Sequence, residues 1–342
     1  TWADKRTLVL KQAIGVCAAI TPWNFPLAMI TRKVAPAIAA GCPIILKPAS
    51  ATPLSTLELA KIIDKTALPK GAVSIIPMDR KAGNQLVTDD RFKLLSFTGS
   101  PAVGWEMKRN AGKKKVVLEL GGNAAVIITP TADMEKAVAK SIVAGFSYSG
   151  QICIHAQRFF VHESVFNTFS NLFVAAAKKL KQGNPESADT EVSNMIDGEN
   201  AKRVESWINE ALQQGASLLL GGKRNGNFVE PTVLTNTNTT MDVCSKEVFG
   251  PVVTIEKYST FAEAVEMLND SDFGLQAAVF TLNDQEITTA FQTIETGGVI
   301  INDVPTFRVD HMPYGGVKDS GLGREGVKYA ILDMMEAKIL VK

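Results

Sequence analysis

The chain has 342 residues, more than one hydrophobic core usually organises, so two or more domains are expected. Hydrophobic residues make up 46% and charged residues 21%, the balance of a globular protein, and a formal net charge of +1 gives no global field favouring nucleic acid or an anionic membrane. Every long apolar stretch is broken by Pro, Gly or charge and no signal peptide is read; the four cysteines are too sparse for a disulfide framework and lack metal-type spacing, so a reducing, cytoplasmic setting without a metal site is expected.

Along the chain, short apolar strands alternate with helices. Residues 7–10 and 14–20 read as strands, and Pro22-Trp23-Asn24-Phe25-Pro26 forces a turn. A helix over 27–40 stops at Gly41, and 43–48 is a buried strand ended by proline. A helix is expected over 52–67, with Thr52 as its cap and Pro53 early in it. Strands follow at 73–76 and 94–97. This alternation predicts a doubly wound parallel sheet, and dinucleotides bind at the carboxyl ends of such strands. Beyond Gly121-Gly122 new elements begin: strands at 124–128, 159–162 and 252–258, and helices at 134–146, 164–180, 201–214, 261–269 and 285–295. A domain boundary is therefore placed near Gly122. The last residues, 337–342, read as a strand that leaves the core to pair elsewhere. The chain opens at Thr1 in the approach to a strand, and a fragment, a trimmed chain and a processed form all remain open.

Four places could carry chemistry. Phe97-Thr98-Gly99-Ser100 follows a strand and opens a helix, where free N–H groups favour phosphate; a turn with a Ser cap is the plain alternative. Lys47 ends a buried strand and could reach a ribose or phosphate, or be a solvated charge. Cys153, in Gly150-Gln151-Ile152-Cys153-Ile154, lies among small and polar residues, the setting of an exposed thiol, whereas Cys17 and Cys42 read as core and Cys244 as structural. Glu119, between two leucines, is either a salt-bridged carboxylate or a general base whose pKa is raised by burial. His155 stands two residues from Cys153, but no orienting Asn or Asp completes a protease-like triad.

These motifs occur in order with Lys47-Pro48-Ala49, Glu119-Leu120-Gly121-Gly122, Lys246-Glu247-Val248-Phe249-Gly250-Pro251 and Pro313-Tyr314-Gly315-Gly316-Val317-Lys318 before Ser320-Gly321. Together they resemble the aldehyde dehydrogenase superfamily over nearly the whole chain. The resemblance implies an α/β, aldehyde-dehydrogenase-like fold: two doubly wound parallel-sheet domains plus a small β oligomerisation arm. It divides the chain into an arm strand at 1–13, a cofactor domain at 14–121, a catalytic domain at 122–326 and a return to the arm at 327–342. It implies NAD or NADP as cofactor, a homodimer or homotetramer, and a segment preceding Thr1 that completes the cofactor domain.

The resemblance also implies roles. Cys153 would attack the aldehyde carbon, with the Asn24 amide and the Cys153 N–H as donors to the oxyanion. Loss of hydride leaves a thioester, and Glu119 would activate the water that hydrolyses it. Lys47 and Ser100, with Gly99, match positions near the adenosine ribose and pyrophosphate; Glu247 and Phe249 match those holding the nicotinamide ribose and ring. Thr21, Trp23 and Gly121 lie beside this site. Ser50 stands where many NAD-preferring relatives carry Glu, which removes the repulsion of a 2′-phosphate and predicts that NADP is accepted. The segment 306–314 resembles members acting on small polar or anionic aldehydes, with Arg308 and His311 as ligands of the anionic group. Two rivals are carried beside this reading. One is a truncated, inactive dinucleotide-binding remnant or assembly partner; the other is a thiol hydrolase.

Overall fold

A computed structural model of the chain describes residues 5–342. The chain divides into two compact units: one runs up to Leu120 and adds Arg308–Gly315 and Gly321–Lys342, and the other is Gly121–Phe307 with Gly316–Ser320. Residues 308–315 and 321–326, expected in the second domain, thus return to the first. The reason is pairing: Gly321 sits opposite Glu119, and Tyr314 and Glu325 exchange backbone hydrogen bonds.

The first unit carries β1 (Thr7–Ala13), β2 (Cys17–Ile20), α1 (Pro26–Ala40), β3 (Ile44–Lys47), α2 (Leu54–Asp64), β4 (Val73–Ile75), α3 (Arg80–Thr88), β5 (Leu94–Thr98), α4 (Pro101–Asn110) and β6 (Lys115–Glu119). From the end of the chain it takes β18 (Gly321–Leu322), α11 (Val327–Asp333) and β19 (Met335–Val341). Its sheet runs β18-β6-β5-β2-β3-β4, parallel except for β18 at the edge. The order reverses at β2, between β5 and β3, and a crevice at such a switch point accepts ligands. Helix α1 starts on Pro26 and ends on Gly41 at φ 75, a conformation that favours glycine. Helix α2 is shorter than expected and Thr52 does not cap it; the Thr52 hydroxyl donates instead to the Trp23 carbonyl at 3.1 Å. Helix α3, not foreseen, is capped by the Asp79 carboxylate, which accepts from the Ala82 N–H. Strands β1 and β19 form a two-stranded antiparallel ribbon, Thr7 opposite Val341 through Ala13 opposite Met335. Of the segment 1–13 read as the arm, residues 1–4 lie outside the described residues.

The second unit carries β7 (Ala124–Ile128), α5 (Met134–Phe146), β8 (Ala156–His162), α6 (Phe166–Ala177), α7 (Gly198–Gln213), β9 (Ser217–Leu220), β10 (Arg224–Asn225), β11 (Phe228–Val229), β12 (Thr232–Thr235), α8 (Asp242–Ser245), β13 (Val252–Tyr258), α9 (Phe261–Asn269), β14 (Phe273–Gly274), β15 (Gln276–Phe280), α10 (Asp284–Thr293), β16 (Gly298–Ile301) and β17 (Val317–Lys318). Its sheet runs β16-β15-β7-β8-β13-β12-β9, again parallel except for one edge strand, β9. Its largest core packs Phe146, Phe159, Phe169 and Phe173, all buried, with neighbouring ring centroids 5.2–5.9 Å apart. The doubly wound parallel sheet expected from the strand–helix alternation is present, as is the second one that the resemblance implied, and no helix of the described residues is long and apolar enough to cross a membrane.

Candidate active site

In the first unit the residues expected to hold a dinucleotide gather at the carboxyl ends of the central strands. Thr21, buried, follows β2, and its N–H donates to the Lys47 carbonyl at 3.2 Å. Trp23 and buried Asn24 continue the same loop, and Phe25 at φ 53 turns the chain into α1. Lys47 ends β3, and Ser50 is exposed just beyond it. Lys47 is partly buried and its ammonium is held below the usual lysine range, first by burial and then by Arg80, with Asp79 opposing. Arg80, a second cation near Lys47, opens α3 and belongs to no sequence motif. Gly99 follows β5, and a Cβ there would strike the Phe97 ring. Ser100 sits at the N-cap of α4 and its side chain does not cap the first turn, and a helix start of this kind suits an anion. Three strand ends, two cations and a helix start therefore fit a phosphate-bearing dinucleotide.

Glu119 closes β6. Its side chain is 3% exposed, and neither carboxyl oxygen has a hydrogen-bond partner among the described residues. Burial and the nearby Glu325 hold its pKa well above the ordinary carboxylate range, while Lys33, Arg308 and Arg324 pull the other way. Glu325 is the opposite case. Lys33 Nζ lies 3.1 Å from its Oε1 and Arg308 Nη2 lies 3.0 Å from its Oε2, and these cations hold its carboxyl below the usual range despite burial. Lys33 also donates to the Ser96 hydroxyl at 2.8 Å. Two carboxyls of one unit are thus driven apart, the pattern that separates an acid from a base. Room for Glu119 comes from Gly315, where a Cβ would stand 2.8 Å from Glu119 Oε1. Arg308, read as a ligand for an anionic substrate, is bonded to Glu325 and stacked over Tyr314 at 3.7 Å. His311 is exposed on the same segment.

In the second unit Cys153 follows a strained turn. Tyr148, Ser149 and Gly150 have φ of 57, 55 and 69, three left-handed residues in a row. The turn is pinned by the Ser149 hydroxyl, which donates to the Ser193 carbonyl at 2.8 Å, and by Gln151 Oε1, which accepts from the Ile196 N–H at 2.9 Å. Cys153 is half-buried, and all four cysteines are thiols, with Cys17, Cys42 and Cys244 buried. Gly121 and Gly122 run against this loop and against Glu247: a Cβ on Gly122 would strike the Cys153 carbonyl, and one on Gly121 would strike the Glu247 carboxylate. Glu247 Oε1 accepts from the Gly122 N–H at 2.9 Å, and burial pushes its pKa up to about 7 against the pull of that bond and of Arg203. Phe249 stands two residues on, at φ 47. Two residues not singled out from the sequence hold this loop. Gln157 takes the Val248 N–H and gives its own amide to the Val243 and Lys246 carbonyls, and Arg203 donates to the Val248 carbonyl while stacking on Trp207 at 4.5 Å. Neither lies in a motif; both become visible only through partners 45 to 91 residues away. Among the described residues no group of His, Cys, Asp and Glu could hold a metal ion.

The aldehyde dehydrogenase family model matches residues 1–340. The chain is 44% identical over 339 residues to a 3-sulfolactaldehyde dehydrogenase of Priestia aryabhattai, spanning 99% of this chain and 71% of that one. Among solved structures it superposes with a TM-score of 0.97 on aldehyde dehydrogenase 21 of Physcomitrella patens in complex with the reaction product succinate, at 50% identity over 99% of this chain and 71% of that one. It superposes with a TM-score of 0.96 on the glyceraldehyde-3-phosphate dehydrogenase GapN of Methanocaldococcus jannaschii complexed with NADP, at 39% identity over 99% and 75%. The chain belongs to the aldehyde dehydrogenase family.

Proposed function

We propose that this protein oxidises a small aldehyde bearing an anionic group to its carboxylic acid, with NAD or NADP as oxidant. The observation that carries the reading is Glu119: a buried carboxyl without a hydrogen-bond partner, held by burial as a proton acceptor rather than spent in an ion pair. Cys153 is the nucleophile, which forms a thiohemiacetal with the aldehyde carbon. The side-chain amide of Asn24 and the N–H of Cys153 are the donors to the oxygen as charge develops on it. A bound nicotinamide supplies the hydride acceptor that the oxidation needs. Glu119 then takes a proton from the water that cleaves the Cys153 thioester.

Lys47, Ser50, Gly99 and Ser100 are assigned to the adenosine and pyrophosphate end, with Thr21 and Trp23 beside it. Gly121, Glu247 and Phe249 are assigned to the nicotinamide ribose and ring. Ser50 with Lys47 and Arg80 favours acceptance of a 2′-phosphate. Arg308 and His311 are assigned to the anionic end of the substrate. The names of the relatives, which include sulfolactaldehyde and succinate-semialdehyde dehydrogenases, support an anionic aldehyde. We place the protein in the cytoplasm as a homodimer or homotetramer.

The test is rapid-mixing kinetics with an anionic aldehyde and each cofactor. Wild type turns over, and NADP serves at least as well as NAD. Glu119→Gln forms reduced cofactor in one burst and then slows by ~10² or more, because acylation proceeds and hydrolysis does not. Cys153→Ala loses both phases. Undiminished steady turnover in Glu119→Gln would remove the base assignment.

A further inference from the structure

Around Glu119 the first unit collects an excess of positive charge. Lys33, Arg308 and Arg324 act on Glu119, and Arg32 feels Arg308, Glu325, Tyr314 and Asp310. Arg32, Lys33, Ser96, Arg324 and Glu325 line one small cavity. Asp333 lines the same cavity and is paired with Lys115 at 2.8 Å, so five cations meet four carboxyls. Of the four carboxyls, Glu119 is the one whose proton burial favours, and Asp310 is exposed. The cluster is short of an anion. The group best placed to take one is Arg308. Its side chain is nine-tenths buried; Nη2 is spent on Glu325 at 3.0 Å, and the flat face lies on Tyr314. Its Nε–H is buried without a partner among the described residues. An orphaned donor on a buried guanidinium is destabilising, and an oxyanion of the ligand would satisfy it.

We propose that Arg308 is a shared counter-ion: one edge holds Glu325, the other takes the anionic group of the substrate, and the charge of the substrate thereby sets how readily Glu119 accepts a proton. The inference rests on the assignment of Glu119 as base and Arg308 as substrate ligand. Its sign follows from electrostatics. A negative group beside Arg308 cancels part of the positive field that draws the proton off Glu119, and adds its own repulsion. Glu119 therefore holds its proton more tightly when the anion is bound, and binding takes up protons. The ascending limb of the pH–rate profile should then lie higher for an anionic aldehyde than for a neutral one of equal length.

The experiment is titration calorimetry of succinate binding at several values between about pH 6 and 9, each in two buffers of different ionisation enthalpy, which reads proton uptake without turnover. The expected result is uptake of part of a proton by wild type. Glu119→Gln should still bind succinate but lose the uptake. Arg308→Gln should bind about tenfold or more weakly, and Arg308→Lys should recover part of the affinity by restoring the cation. Uptake that persists in Glu119→Gln, wild-type binding that exchanges no protons, or full affinity in Arg308→Gln would each overturn the proposal. Because the readout is heat, a failure to oxidise any aldehyde would count against the proposed function and leave the linkage standing.

Discussion

Two residues beyond Cys153, the His155 imidazole is 4% exposed, and its Nε2 lies 2.8 Å from the Gly145 carbonyl. A carbonyl only accepts, so Nε2 carries the proton and Nδ1 is left as a buried acceptor without a partner. The ring is spent on the end of α5, and burial pushes its pKa down to about 4. The unfolded chain therefore binds this proton at higher pH than the fold does. The contribution is fully present above the ordinary histidine pKa of about 6.5 and is lost as pH falls toward 4, amounting to about 3 kcal/mol. Glu247 works in the opposite direction over part of this window, since its carboxyl, pushed up to about 7, gains its proton more easily in the fold. The signature is thus a difference: in urea unfolding at pH 7 and 4.5, wild type loses more stability than His155→Gln. Parallel losses in the two proteins would show that the histidine is not the sensor.

Between the elements, Gly122 holds the geometry of the nucleophile. Its missing Cβ is where the Cys153 carbonyl lies, so Gly122→Ala displaces the cysteine backbone while leaving β7 and β8 intact. A shift of about 1 Å costs roughly 10² in an oriented reaction, and the loss should fall on the burst and on alkylation of Cys153 while circular dichroism stays unchanged. Normal alkylation and normal turnover in Gly122→Ala would sink this account. The same region shows what a sequence discloses. Met134–Phe146 and Phe261–Asn269 match their predicted bounds because local signals fix them: Asp133 caps the first, and a Thr260–Glu263 capping box opens the second. Helix α3 carries the same kind of cap on Asp79 but opens on two cations, Arg80 and Lys81, which hid it. Glu119 and Cys153 stand out because a carboxyl between leucines and a thiol among small residues are chemically odd where they occur. Glu325 does not stand out, since a Glu beside an Arg reads as surface. Its burial comes from Lys33, 292 residues away, and from Arg308, and no local pattern encodes either.

At the scale of the whole molecule, the ribbon of β1 and β19 calls for a partner. Leu8, Val9, Leu10, Ile339, Leu340 and Val341 are 50–62% exposed on it, although each is a residue that a folded chain normally covers. An isolated two-stranded ribbon is marginal in water, and its outer edges present unpaired N–H and C=O groups to any strand that approaches. Six exposed aliphatic side chains on such a template are best covered by a second copy of the chain, which is the homo-oligomer proposed above. The register makes the test specific, because Val9 and Ile339 lie directly opposite each other. Two lysines there place like charges across the ribbon and in the surface to be covered, so Val9→Lys with Ile339→Lys should weaken self-association far more than stability. Sedimentation velocity should show wild type as a dimer or tetramer and the double variant shifted toward the monomer, with helix and strand content unchanged. A monomeric wild type, or a variant that assembles as wild type does, would mean that the exposed aliphatics of the ribbon are not an assembly surface.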